Sequence, residues 1–152
     1  MPPTHTHLVA PQEAALLRQI GHPLPTEMRL LMGTPTARFI GRVMTWLDAP
    51  PVAVTIGRTV YIPDPTYFRR LSIEERAALL AHEAVHVRQW QQMGKPRFLL
   101  TYLREYLRTR WAGIDTHDPQ EGISLEREAI AVEQQLLTTA RMTARGALKC
   151  CR

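Results

Sequence analysis

Residues 72–93 read SIEERAALLAHEAVHVRQWQQM, and this stretch decides the fold that the sequence predicts. Ser72 and Glu75 form a Ser-x-x-Glu capping box, in which each side chain accepts a hydrogen bond from the other residue's backbone N–H at the start of a helix. Gly94 and Pro96 follow the stretch, and this pair is typical of a helix end. The chain is therefore expected to be organised around one long helix over these residues.

Five residues in the middle of this helix, His82-Glu83-Ala84-Val85-His86, form an H-E-x-x-H motif. Histidines four residues apart lie one above the other on the same helix face, so both imidazoles can reach one zinc ion at about 2.0–2.1 Å. Glu83 is carried to the edge of the ion, where its carboxylate can take a proton from water. The motif predicts a zinc site with His82 and His86 as ligands and Glu83 as the general base.

A helical wheel at about 100° per residue places the motif on the apolar face of the helix and turns Ala84, Arg88 and Gln91 outward. Two histidines and a carboxylate buried together are unfavourable unless they are paired or bound to a metal. The alternative to a metal site is a hydrogen-bonded His–Glu–His cluster without an ion. The apolar residues nearest the motif on the wheel are Leu79, Val87, Trp90 and Met93.

A catalytic zinc site needs a third protein ligand and a position open to water. The next histidine along the chain is His117, too distant in sequence for a three-histidine motif, so a glutamate on a later helix is the expected solution. On a helix predicted to begin near residue 124, Glu126 and Glu133 fall within the apolar arc and Glu128 falls outside it. We therefore expect Glu126 to be the third ligand and Glu133 to orient a histidine, the alternative for Glu126 being an interior salt bridge. The candidates considered are Glu121, Glu126, Glu128 and Glu133.

One segment carries a strong strand signal. Residues 52–56 and 59–62 are rich in β-branched side chains and flank Gly57-Arg58, which predicts a hairpin with a two-residue turn. The predicted fold class is mainly α with a small β-hairpin, in a single domain over residues 1–152. Other parts predicted from the sequence are a flexible tail at 1–10, short helices at 12–20 and 37–47, a helix at about 97–110 and a basic C-terminal segment at 138–152.

The H-E-x-x-H helix, Gln89, the tyrosine-rich helix after it and Leu125-Glu-Arg-Glu-Ala129 resemble the small gluzincin-type zinc peptidases. Within this class, the same residues resemble the metallopeptidase core domains found in bacterial toxin and contractile-injection-associated proteins. The resemblance covers about residues 52–130 and implies a zincin-like minimal fold, Glu126 as the third ligand and zinc-dependent hydrolysis of a peptide or protein substrate. At Ile130 the chain departs from many gluzincins, which have there an aspartate that supports a ligand histidine.

The chain is basic, with a net charge of +5 and a pI near 9.8, which favours anionic partners. A solvated basic surface is the simpler interpretation, and we do not expect nucleic acid to be a partner. The alternatives to an enzyme are a metal-stabilised binding domain that hydrolyses nothing and a basic nucleic-acid or membrane-surface module. The nucleic-acid or membrane-surface alternative is supported by the cations and aromatic side chains that alternate between Lys95 and Trp111. A helix packed on two sides explains the same pattern more simply.

Three side chains could stabilise a negatively charged transition state, and the sequence does not choose among Tyr102, Tyr106 and His117. The start of the chain has no basic segment followed by an apolar run, and no stretch of 18 uncharged apolar residues occurs. The only cysteines, Cys150 and Cys151, are adjacent and cannot link distant parts of the chain. A cytoplasmic protein without a membrane span is expected.

Overall fold

A computed structural model of the chain describes residues 9–46, 51–113 and 122–150, with side chains to residue 143. The described part is mainly helical and includes one small sheet, as the fold class predicted. The predicted tail at 1–10 lies outside the described residues except for its last two positions. In chain order the elements are α1 (Pro11–Gln19), β1 (Arg29–Met32), α2 (Pro35–Trp46), β2 (Val54–Ile56), β3 (Thr59–Ile62), α3 (Pro65–Arg70), α4 (Ile73–Met93), α5 (Lys95–Trp111) and α6 (Ser124–Cys150).

Helix α4 is the centre of the fold, and its first turn is built as predicted. The Ser72 hydroxyl accepts from the Glu75 backbone N–H at 3.1 Å, and the Glu75 carboxylate accepts from the Ser72 N–H at 2.8 Å. Helices α1, α5 and α6 and strand β2 all contact α4. The expectation that Ala84 faces outward is wrong, because these neighbours bury α4 nearly all round and leave Ala84 1% exposed. Gln91 is exposed, as expected.

The predicted hairpin is present but belongs to a larger sheet. Strands β2 and β3 pair antiparallel, with Thr55 opposite Val60, and Gly57 has a φ of +66° in the turn between them. Strand β1 pairs parallel with β3, so the sheet has three strands in the order β1-β3-β2. The hairpin prediction therefore missed one strand. The apolar run of β1 contains no β-branched residue, so strand propensity does not reveal it.

Two hydrophobic clusters hold the helices around α4. The larger lies between the sheet, α1, α4 and α6 and includes Leu17, Val60, Ile62, Leu80, Val87 and Leu136. The smaller joins α5 and the start of α6 to the C-terminal half of α4 through Trp90, Phe98, Ile123 and Leu125. Packing of α6 along α4 is the most extensive contact in the fold. It brings the glutamates of α6 toward the H-E-x-x-H motif.

Residues 138–150 of the predicted C-terminal segment at 138–152 belong to helix α6, and its last two residues lie outside the described part of the chain. Helix α3 was not predicted, although Asp64 caps it by accepting from the backbone N–H groups of Thr66 and Tyr67. Among the described helices, none combines the length and the apolar character needed to cross a membrane.

Candidate metal centre

Three side chains from two helices converge at one point. His82 and His86 project from consecutive turns of α4, and their Nε2 atoms lie 3.2 Å apart. Glu126, in the first turn of α6, places its Oε2 atom 3.2 Å from Nε2 of His82 and 3.4 Å from Nε2 of His86. The three atoms form a nearly equilateral triangle.

The dimensions of this triangle suit a metal ion. A tetrahedral zinc ion with bonds of about 2.0–2.1 Å separates its ligand atoms by about 3.3–3.4 Å. The observed separations of 3.2, 3.2 and 3.4 Å are close to that value. Two imidazoles and a carboxylate are also a donor set typical of zinc. His82, His86 and Glu126 therefore form a cluster that could hold a metal ion.

The hydrogen bonds of Gln89 fix the ring of His86. The Gln89 amide nitrogen donates to the Leu125 carbonyl at 3.1 Å and to a Glu128 carboxylate oxygen at 2.7 Å, so the amide oxygen faces His86. That oxygen lies 2.9 Å from Nδ1 of His86 and can only accept. The proton of neutral His86 must therefore be on Nδ1, which leaves the Nε2 lone pair directed into the triangle.

Glu133 performs the same task for His82. Its Oε2 atom lies 3.1 Å from Nδ1 of His82 and accepts the proton on that nitrogen, so the Nε2 atom of His82 points into the triangle and carries a lone pair when the ring is neutral. The resemblance expects such a carboxylate at position 130, where the chain has isoleucine. Glu126 and Glu133 are two turns apart on the same face of α6, so a carboxylate one turn beyond Ile130 supplies the missing partner.

The charges at the site favour a cation between the three ligands. Burial lowers the pKa of His82, but hydrogen bonds to Glu126 and Glu133 and the charge of Glu83 outweigh burial and raise that pKa to about 10. Burial is outweighed in the same way at His86, whose pKa is raised by Glu126. Burial acts to raise the pKa of Glu126, yet hydrogen bonds from both histidines hold it well below its usual range. A proton or a metal ion satisfies this arrangement.

Glu83 is buried next to the triangle and is held by the sheet. The Thr55 hydroxyl, on strand β2, donates to Oε2 of Glu83 at 2.6 Å. The negative charge of Glu83, the residue after His82 on α4, contributes to the raised pKa values of both His82 and His86. Glu83 is outside the three-ligand cluster, consistent with the predicted separation between ligands and general base.

Of the described candidates for stabilising a negatively charged transition state, Tyr102 lies at the site. Burial raises its pKa, and the charge of Glu126 and a hydrogen bond to Glu126 raise it further. The phenol therefore stays protonated at neutral pH and remains a donor. Tyr106 is half-buried against the smaller hydrophobic cluster, and His117 lies outside the described residues.

The structure brings together His82, His86, Glu126 and Glu133 and places Glu83 next to them. Glu128 is exposed, as the wheel predicts, but it also supports Gln89. Two supporting residues were missed by the sequence prediction, Gln89 and Thr55. Gln89 stands three residues after His86, a spacing that places both on one helix face, whereas nothing in the sequence marks Thr55. The fourth candidate ligand, Glu121, lies outside the described residues.

No protein family, curated protein or solved structure matches the chain. Its function is therefore inferred from the geometry of these residues.

Proposed function

We propose that the protein is a zinc-dependent peptidase with a zincin-like minimal fold, in which His82, His86 and Glu126 hold zinc and Glu83 is the general base. The observation that carries the proposal is the ligand triangle, whose edges of 3.2, 3.2 and 3.4 Å suit tetrahedral zinc. The supported Nδ1 atoms add to it, because metal-bound histidines almost always donate their second ring N–H to an acceptor.

Exposure of the ligands favours a catalytic site over a structural one. The side chains of His82 and Glu126 are 16% and 21% exposed, whereas that of His86 is 9% exposed. Solvent therefore reaches one side of the triangle. A structural zinc site is closed by four protein ligands, and only three ligands converge among the residues that the structure describes. This supports hydrolysis over a metal-stabilised domain that only binds a partner.

When bound, zinc would lower the pKa of a water molecule and polarise the carbonyl of the scissile bond. Glu83 takes the proton from water and later gives it to the leaving amine. The hydrogen bond from Thr55 fixes the orientation of that carboxylate at 2.6 Å and leaves its second oxygen for the proton transfer. Tyr102, a protonated phenol next to Glu126, is the donor we assign to the developing oxyanion.

Strand β2 provides the surface for an extended substrate. It is an edge strand of the described sheet, and the hydroxyl of its Thr55 contacts the proposed general base Glu83, which follows the ligand His82 on α4. Backbone groups at a sheet edge can pair with an extended peptide as an added strand. We therefore propose peptides or unfolded proteins as substrates, bound along β2 with the scissile bond near Glu83.

The test combines zinc content with hydrolysis of casein, an unfolded protein, by the full-length chain. The wild type is expected to bind one zinc per chain and to cleave casein in a zinc-dependent reaction. Removal of a ligand in His86→Ala or Glu126→Ala should abolish both.

Glu128→Ala is the matched control, because Glu128 is two residues from Glu126 on the same helix but is exposed. It should retain one zinc per chain with at most a small loss of affinity, because Glu128 contacts Gln89 and not a ligand. Absence of zinc from the wild type would overturn the metal site. Stoichiometric zinc without cleavage of casein or of a panel of unfolded proteins would instead indicate a metal-stabilised binding domain.

A further inference from the structure

Helix α5 carries an apolar face that the described part of the protein leaves between 38% and 85% exposed. Its opposite side packs against α4 and the start of α6 through Phe98, Tyr102 and Tyr106. Leu100 is 69% exposed and Trp111 is 85% exposed. The large apolar side chains exposed on this helix, here called the α5 apolar face, are Leu99, Leu100, Leu103, Leu107 and Trp111.

Five exposed cations accompany this face. They are Lys95, Arg97, Arg104, Arg108 and Arg110. The only acidic residue of the helix is Glu105, which is turned inward and accepts hydrogen bonds from the backbone N–H and the hydroxyl of Ser124 at 2.7–2.9 Å. Within residues 9–46, 51–113 and 122–143, no carboxylate forms an ion pair with any of the five cations. The outward side of α5 is therefore apolar and positively charged.

Four of the five cations lie at the borders of the apolar face. On a wheel at about 100° per residue, Arg97, Arg104 and Arg108 follow one another along one border of the leucines. Lys95 lies on the other border. Arg110 lies between Leu99 and Leu103 on the wheel, and its guanidinium carbon is 6.0 Å from the ring centre of Tyr106. Leucines thus dominate the outward face, and every cation of the helix except Arg110 flanks them.

We propose that α5 is an interfacial helix that lies in the plane of an anionic lipid surface. A helix of this kind buries its apolar face at the boundary between headgroups and acyl chains, while flanking cations contact anionic headgroups. The tryptophan at the end of the face fits this position, because indole rings favour the membrane–water interface. The docking side chains lie on the side of α5 away from the metal ligands, so the proposal does not depend on the proposed hydrolysis.

Two other occupants fit the face less well. A nucleic acid would need cations at the centre and aromatic rings available to bases, whereas the centre is aliphatic and Tyr102 and Tyr106 are turned inward. A second copy would place the same face against itself in a symmetric dimer and would bring the five cations of each copy together, with no acidic side chain on the described part of that face.

The test measures cosedimentation of the full-length protein with phosphatidylcholine vesicles, with and without phosphatidylserine. Binding is expected to vesicles that contain phosphatidylserine and to weaken as salt rises. Leu100→Asp combined with Leu103→Asp should reduce the affinity by more than roughly tenfold for each leucine. Arg104→Gln combined with Arg108→Gln should reduce it by about fivefold for each arginine. Phe39→Asp, at a site 65% exposed on α2, is the matched control and should bind like the wild type.

Tryptophan fluorescence supplies a second measurement. Vesicles that contain phosphatidylserine should shift the emission to the blue through Trp111, so Trp111→Phe removes the shift and Trp46→Phe, which replaces an equally exposed tryptophan on α2, keeps it. Equal binding to neutral vesicles, or equal loss in Phe39→Asp, would overturn the proposal. So would a dimer that the leucine double variant dissociates, or binding to nucleic acid without binding to vesicles.

Discussion

Helices α5 and α6 both pack against α4, and both depart from the usual amphipathic pattern in opposite directions. Helix α6 turns the carboxylates of Glu126 and Glu133 toward the protein, whereas α5 turns leucines such as Leu100 toward solvent. A buried carboxylate is unfavourable unless it is paired, and a large exposed apolar face is unusual unless something covers it. Local departures from folding rules tend to mark functional sites. We propose a metal ion as the partner of the first departure and a lipid surface as the partner of the second.

The two helices differ in how much of the partner is already in the protein. The carboxylates of α6 meet His82 and His86, so the chain itself defines the ligand geometry of that site. The side chains of the α5 apolar face are between 38% and 85% exposed, and the charge and hydrophobicity of this face alone indicate the proposed partner. Tests of α6 can therefore be aimed at single atoms, whereas tests of α5 address a surface.

The proposed metal site, to which α6 contributes Glu126, catalyses hydrolysis only if Glu83 on α4 acts as the general base. Glu83→Gln should keep the zinc and lower the rate of casein cleavage by about 10²–10⁴-fold, because the amide cannot accept the proton. Turnover measured at equal zinc content tests this expectation. Glu74→Gln, at an exposed site on the same helix, is the control and should be as active as the wild type. Loss of zinc in Glu83→Gln would make Glu83 a ligand.

The next largest effect is expected on zinc affinity, when a side chain that holds a histidine ring is removed. Glu133→Ala or Gln89→Ala should weaken zinc binding by about 10–100-fold, because each change removes the acceptor that holds an Nδ1–H. Competition with a chromophoric chelator measures the change. Glu128→Ala acts on Gln89 only indirectly and should weaken zinc less than either variant. An equal loss in Glu128→Ala would show that Gln89 depends on this carboxylate for its orientation.

The sequence predicted the parts of this site that depend on local spacing. The capping box of α4, the shared face of His82 and His86, and the difference between Glu126 and Glu128 all follow from helix geometry, and the structure has each of them. The zincin-like fold, the bound zinc and the hydrolysis stay predictions.

The missed features depend on contacts between distant segments. Strand β1 is stabilised by parallel pairing with β3 and carries no strong strand propensity of its own. Thr55 reaches Glu83 because the sheet packs on α4, a contact over 28 residues of sequence. Ala84 was expected at the surface because a wheel shows one helix and not its neighbours. Similarly, a wheel of α5 alone cannot distinguish an apolar face packed against the protein from one exposed to solvent, so the sequence suggested a helix packed on two sides.

The charges around α6 predict how zinc binding depends on pH. The pKa of His82, raised to about 10, keeps this ligand protonated at neutral pH in the metal-free protein, and zinc must displace that proton. Because zinc displaces this one proton from His82, its affinity should continue to rise by about tenfold per pH unit between pH 7.5 and 9. Chelator competition across this range measures the slope. A histidine with an ordinary pKa near 6.5 would give a plateau above about pH 7.5. A plateau in the wild type would contradict the raised pKa.

The smallest effect concerns the α5 apolar face and the stability of the free protein. Leu100→Gln should change the free energy of unfolding by no more than about 0.5 kcal/mol, because Leu100 has little burial to lose. Leu136→Ala, at a fully buried position on α6, should lower it by about 2–5 kcal/mol. Urea denaturation of the metal-free protein measures both. If Leu100→Gln lowers the free energy of unfolding by more than about 1 kcal/mol, the leucine is buried within the folded chain and is not available to contact a membrane. A neutral result, together with vesicle binding that the same substitution weakens, would show that these leucines contribute to docking and not to folding.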